Sequence, residues 1–147
     1  MSGLAALLAG HTTPDVYLWH NAARVEDVAH AVEKADWRFV YLDGWAIEDR
    51  ESFLKAMGAV LDLPDFDGQS FEVLSERLHG VTAQGHRGMV VLWDGWSPLA
   101  RADEEAFRAA LNVLTGRSHD NSCDKCAVLL RGDGPSIDVP ELPDKRH

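Results

Sequence analysis

Glu72 and Glu76 stand four positions apart, with Ser75 between them and His79 three residues further on. On a helix this spacing stacks both carboxylates on one face. Three chemistries suit such a pair. It could bind an arginine-rich cleft, because guanidinium forks grip carboxylate and phosphate with the same geometry. It could do acid–base work together with His79. It could also be a solvated helix face and nothing more. The acid–base reading has little support, since the sequence has no phosphate loop, GxGxxG or Ser-His-Asp arrangement and suggests no pocket. His79 and His86 read as surface residues. A second constellation, His119-x3-Cys123-x2-Cys126 with Asp120 nearby, has zinc-like spacing. Structural zinc needs four ligands and no fourth is evident, so free thiols are the alternative. A thioredoxin-like role is weaker, because the motif precedes a strand instead of opening a helix.

Charge favours the first reading. The 147 residues carry a formal net charge of −10. In residues 43–76, nine acids face only Arg50 and Lys55, so nine minus two leaves −7 in that stretch. Such a surface repels nucleic acid and anionic lipid and allows a basic protein as direct partner. No Lys or Arg lies three or four positions before Glu72 to compensate the like-charged pair.

The elements that must position these residues alternate between strand and helix. Asp15-Val16-Tyr17-Leu18-Trp19 reads as a strand, residues 24–35 as a helix striped by Val25, Val28, Ala29 and Val32, and Trp37-Arg38-Phe39-Val40-Tyr41-Leu42 as a strand. Asp49 can cap a helix bearing Phe53, Leu54, Met57, Val60 and Leu61, which Pro64 ends. Gly68 separates the loop Asp65-Phe66-Asp67 from the acidic helix near 69–79, where Phe71, Leu74 and Leu78 form the inward face. Gly88-Met89-Val90-Val91-Leu92-Trp93 is an apolar run of strand length, as a buried parallel strand requires. Asp103 can cap a helix striped by Phe107, Ala110, Leu111 and Leu114, with Gly116 suited to its C′ position. Residues 117–125 read as polar loop and Ala127-Val128-Leu129-Leu130 as the last strand. The prolines from residue 132 onward suggest a disordered tail. This order implies βαβ units and three or four parallel strands in one α/β domain.

The hydrophobic share of 46% is ordinary for a globular chain, and no apolar run approaches a membrane span. Residues 1–10 are apolar without the positive flank of a secretory signal. A frayed or short helical start and a cytoplasmic protein are therefore expected. The two cysteines lie too close together to build a disulfide framework.

Residues 39–78 resemble the barstar family of ribonuclease inhibitors. The pieces are Tyr41-Leu42-Asp43-Gly44, a helix containing Ser52-Phe53-Leu54, the turn Leu61-Asp62-Leu63-Pro64-Asp65-Phe66-Asp67-Gly68, and a helix with two acids four apart. The resemblance extends over about 39–131. It implies a three-layer α/β fold whose small parallel sheet is packed by helices. Residues 37–131 would form the barstar-like domain, 1–36 an added strand and helix of the same domain, and 132–147 the tail.

The resemblance also implies a function. Barstar-like proteins insert a helix and its preceding loop into the active site of a small basic secreted ribonuclease or nuclease toxin. Their carboxylates then take the places of substrate phosphates. No catalysis and no cofactor is implied. Opposite potentials would speed encounter, and the barnase–barstar pair is itself the reference case for that effect. Position by position, the acids fall on Glu72 and Glu76 and the loop residues on Phe66, Asp67 and Gly68. The helix-opening contact falls on Phe71, the residue between the acids on Ser75, and the following pair on Gly80 and Val81. Barstar has aspartates where this chain has the glutamates, and aromatics where it has Ser75 and Val81. Its asparagine before the helix is Ser70 here. Trp45, Trp93 or Trp96 could supply a substitute anchor. Phe66 has two readings, a partner contact or a plug closing the core beneath the turn.

Overall fold

The computed structural model describes residues 2–63 and 65–142. Pro64, expected to end a helix, lies outside the described residues, as do the last five positions of the tail. Four parallel strands form one sheet in the order β1-β4-β3-β2: β1 Val16–Leu18, β2 Arg38–Asp43, β3 Met89–Asp94 and β4 Cys126–Arg131. Among the described residues six helices accompany them: α1 Ser2–Leu8, α2 Val25–Lys34, α3 Arg50–Val60, α4 Phe71–His79, α5 Ser97–Ala102 and α6 Glu104–Ser118. This is the expected α/β fold.

The central strands β3 and β4 are apolar along almost their whole length because both of their faces are covered. Met89, Val91, Trp93, Cys126, Val128 and Leu130 enter one core with α3 to α6. Val90, Leu92, Ala127 and Leu129 enter a second core with α1 and α2. The sheet therefore divides two hydrophobic layers. The short start of the chain is not frayed: Leu4, Leu7 and Leu8 are buried, and the Trp37 indole donates to the Leu8 carbonyl at 3.2 Å. At the C-terminal end of the sheet, Arg131 forks onto Asp94 with contacts of 3.2 and 3.0 Å. The same guanidinium reaches the carbonyls of Asn21 and Ala23, which ties the β1–α2 loop to the sheet.

Two expectations need correction, and one helix lies where none is expected. The tail does not leave the molecule over residues 132–142. Leu142 is only 4% exposed, its N–H donates to Leu18, and Leu18 donates to Pro140, each at 2.8 Å. Strand β1 is only three residues long and lies at the sheet edge, so its unpaired backbone groups take the tail as cover. Helix α5 was not anticipated; Pro98 sits in its first turn, where a missing N–H costs nothing. Helix α6 runs through Gly116 to Ser118 and is capped by His119, so Arg117 is helical and not part of a polar loop.

Candidate functional site

The acidic pair stands on a helix whose position is set from both ends. Ser70 caps α4, its hydroxyl accepting from the Val73 N–H at 3.1 Å. Leu74 and Leu78 are buried and Phe71 is half-buried, tilted against Phe53 with ring centroids 6.0 Å apart. The Arg50 guanidinium lies 5.8 Å above the Phe71 ring, so part of that ring is shielded by this chain's own cation. Glu72 and Glu76 point the other way and are exposed. Among the described residues neither carboxylate takes part in an ion pair or a hydrogen bond. Ser75 between them is partly exposed.

The C-terminal end of α4 is held by a residue that sequence reasoning missed. Arg117 of α6 is 1% exposed and donates to three carbonyls: Leu78 at 2.9 Å, Val81 at 2.9 Å and Asp124 at 2.8 Å. A cation at this end also opposes the negative pole of the helix. Its only local signal was a basic residue in a last helical turn, which does not identify its acceptors.

The preceding loop is stitched by Gln69, whose side chain accepts from the Asp67 N–H at 3.1 Å and donates to the Asp65 carbonyl at 3.3 Å. Gly68 has φ of +83°, a conformation that glycine adopts without strain. Asp67 is exposed. Phe66 packs against α3, as the plug reading requires. It is half-exposed, yet its ring lies so close to Gly58 that a Cβ there would come within 2.7 Å of it. Gly80 is exposed, whereas Val81 turns into the core at 9% exposure. Val81 therefore does not stand with the others at the surface. Its carbonyl is committed to Arg117 and its side chain to the cluster beneath α4. A shallow cleft of about 340 Å³, bordered by Glu76, Gly80, Arg38 and Thr82, opens beside the acidic face. Of the three candidate anchors, Trp93 and Trp96 are core residues, while Trp45 is 53% exposed in the loop before α3.

The sulfur motif is arranged differently from its linear spacing. His119 is engaged by Asp15 at 2.8 Å. Cys126 is buried in β4, and that burial pushes its thiol up to about 11. These two do not converge with Cys123. Instead His79, Asp120 and Cys123 come together, with their donor atoms within 4.8 Å of one another.

No helix among the described residues is long and apolar enough to cross a membrane. No curated protein matches the chain. The sequence model described as Barstar (barnase inhibitor) matches residues 37–130, which takes in β2 to β4, the loop before α4 and the acidic helix itself. The outward acids, the core-bound opposite face and three of the four parallel strands thus sit within a match covering well over half of the chain, and the chain belongs to the barstar family.

Proposed function

We propose that this chain is a cytoplasmic inhibitor, or immunity protein, that blocks the active site of a small basic ribonuclease with α4 and the loop before it, and that it catalyses nothing itself. The observation that carries the reading is the state of Glu72 and Glu76. Both carboxylates are exposed and unneutralised by the described residues, on a helix whose other face is locked into the core. A ribonuclease cleft offers arginine, lysine and histidine placed for phosphate, and bidentate arginine contacts suit carboxylates equally well. Gly80 and Asp67 flank the acids without bulk, and Phe66 and Phe71 offer half-exposed ring edges to a partner.

One observation favours a second reading, a family member whose protein partner is not a ribonuclease. The contact face has Ser75 between the acids, and Val81 is withdrawn into the core, so two aromatic anchors typical of barstar are missing. RNA-cleavage assays with a panel of small basic bacterial ribonucleases separate the two. Stoichiometric inhibition of a panel member that is lost in Glu72→Ala and Glu76→Ala supports the first reading. Capture of a host protein without nuclease activity, through the same two glutamates, supports the second.

A further inference from the structure

The geometry points to a single zinc site at the C-terminal end of the acidic helix, formed by His79 Nδ1, Asp120 Oδ2 and Cys123 Sγ. The three residues come from two places: His79 ends α4, and Asp120 and Cys123 lie on the loop between α6 and β4. Cys123 Sγ lies 3.1 Å from Asp120 Oδ2 and 3.9 Å from His79 Nδ1, and the imidazole and carboxylate are themselves in direct contact. Zinc bonds to sulfur, nitrogen and oxygen of about 2.0–2.3 Å place tetrahedral ligands roughly 3.4 Å apart. The two sulfur separations straddle that value, and the touching imidazole and carboxylate need only part to it for the three donors to surround one ion.

The donor set is selective. One thiol, one imidazole and one carboxylate suit zinc, whereas calcium and magnesium favour oxygen alone. The carboxylate is also oriented from behind, as ligating carboxylates usually are. Asp120 Oδ1 accepts from the Ser122 N–H at 2.9 Å and the Ser122 hydroxyl at 2.6 Å, leaving Oδ2 to face the other two donors. A cavity of about 460 Å³ bordered by Asp120, Cys123, His119 and Lys125 opens beside two of the three donors and leaves room for water as a fourth ligand. Binding displaces two protons from the ligating atoms: the Cys123 S–H bond breaks as a zinc–sulfur bond forms and that proton leaves to solvent, and the proton between His79 Nδ1 and Asp120 Oδ2 moves to Nε2, or to solvent if the imidazole is charged. The ion would clamp the α6–β4 loop to the end of α4, beside the anchor that Arg117 already supplies.

The test is titration of the metal-free full chain with Co²⁺ and, in competition with a chromophoric chelator, with Zn²⁺. The site binds one equivalent, and Co²⁺ gives a thiolate charge-transfer band together with the visible absorption of a tetrahedral ion. Cys123→Ser abolishes the charge-transfer band. His79→Ala and Ser122→Ala each weaken zinc by about tenfold or more, the second while keeping all three ligands. His119→Ala changes neither band nor affinity. These ligands are surface residues, and far-ultraviolet circular dichroism verifies that each variant keeps its fold. Absence of a stoichiometric charge-transfer band, its survival in Cys123→Ser, unchanged zinc affinity in His79→Ala, or loss of the band in His119→Ala overturns the site. None of these outcomes depends on nuclease inhibition.

Discussion

Arg117 Nε donates to the carbonyl of Leu78 at 2.9 Å across 39 positions of sequence. Leu78 is the inward residue of the last turn of the acidic helix, so the bond fixes where that helix ends relative to α6. Among the described residues no carboxylate lies within ion-pair distance of Arg117, and the charge is met by carbonyl oxygens instead. A rigid platform matters for an inhibitor, because side-chain and loop ordering on binding subtracts from affinity.

Replacement of this anchor should be costly. Arg117→Met keeps the stem's bulk but takes the donor from the Val81 and Asp124 carbonyls, while the Leu78 carbonyl keeps the Val81 N–H at 3.1 Å. A buried unsatisfied group costs about 1–3 kcal/mol, so the expected loss is about 2 kcal/mol or more. Urea unfolding of the two proteins measures it, and a loss well under 1 kcal/mol would contradict the assigned role.

Gly58 should reverse a familiar rule. In a helix interior, glycine to alanine normally gains up to about 1 kcal/mol. Here the added methyl meets the Phe66 ring at 2.7 Å and must push it off α3. Gly58→Ala is therefore expected to lower stability, and to regain the usual benefit when combined with Phe66→Ala. A double-mutant cycle of unfolding free energies reads the coupling directly; additive effects would show that the ring does not rest on Gly58.

Asp49 makes the acid limb of stability predictable. Hydrogen bonds from Ser52 hold its carboxyl below the ordinary carboxylate range in the folded chain. A depressed folded value adds stability above the unfolded value, and that contribution disappears as pH falls through the folded one. Asn also caps helices but carries no titrating proton. The stability gap between the parent and Asp49→Asn should therefore shrink as pH drops from about 6 towards about 3. Chemical denaturation at several pH values checks this, and a gap that stays constant or widens on acidification would refute it.

Local physics made much of this architecture legible. The continuous apolar runs of β3 and β4 demanded a sheet covered on both faces. Asp49 and Asp103 cap α3 and α6 as their side chains foretold, accepting from Ser52 and Ala106. Helical periodicity alone sends Leu74 and Leu78 inward and Glu72 and Glu76 outward. What stayed hidden depends on contacts distant in sequence. Nothing near Arg117 marks it as a buried donor, and nothing near His79 signals Asp120 and Cys123, 41 and 44 positions away. The linear spacing of His119, Cys123 and Cys126 misled for a related reason: strand β4 begins at Cys126 and carries that thiol into the core. The tail's prolines suggested disorder, but a proline keeps its carbonyl, and Pro140 uses it to receive the β1 edge.

The most direct measurement is the binding kinetics of the chain against a basic ribonuclease that it inhibits, at several salt concentrations, alongside Glu72→Gln and Glu76→Gln. Loss of one partner from a buried charged contact costs about 2–5 kcal/mol, a range to which the barnase–barstar pair itself contributes. Each single substitution should therefore weaken binding by about 30-fold or more, chiefly through faster dissociation. Parent association should slow as salt rises, and less so in the double variant. Tight binding that survives both substitutions with unchanged affinity and salt dependence would place the contact elsewhere on the molecule and contradict the account.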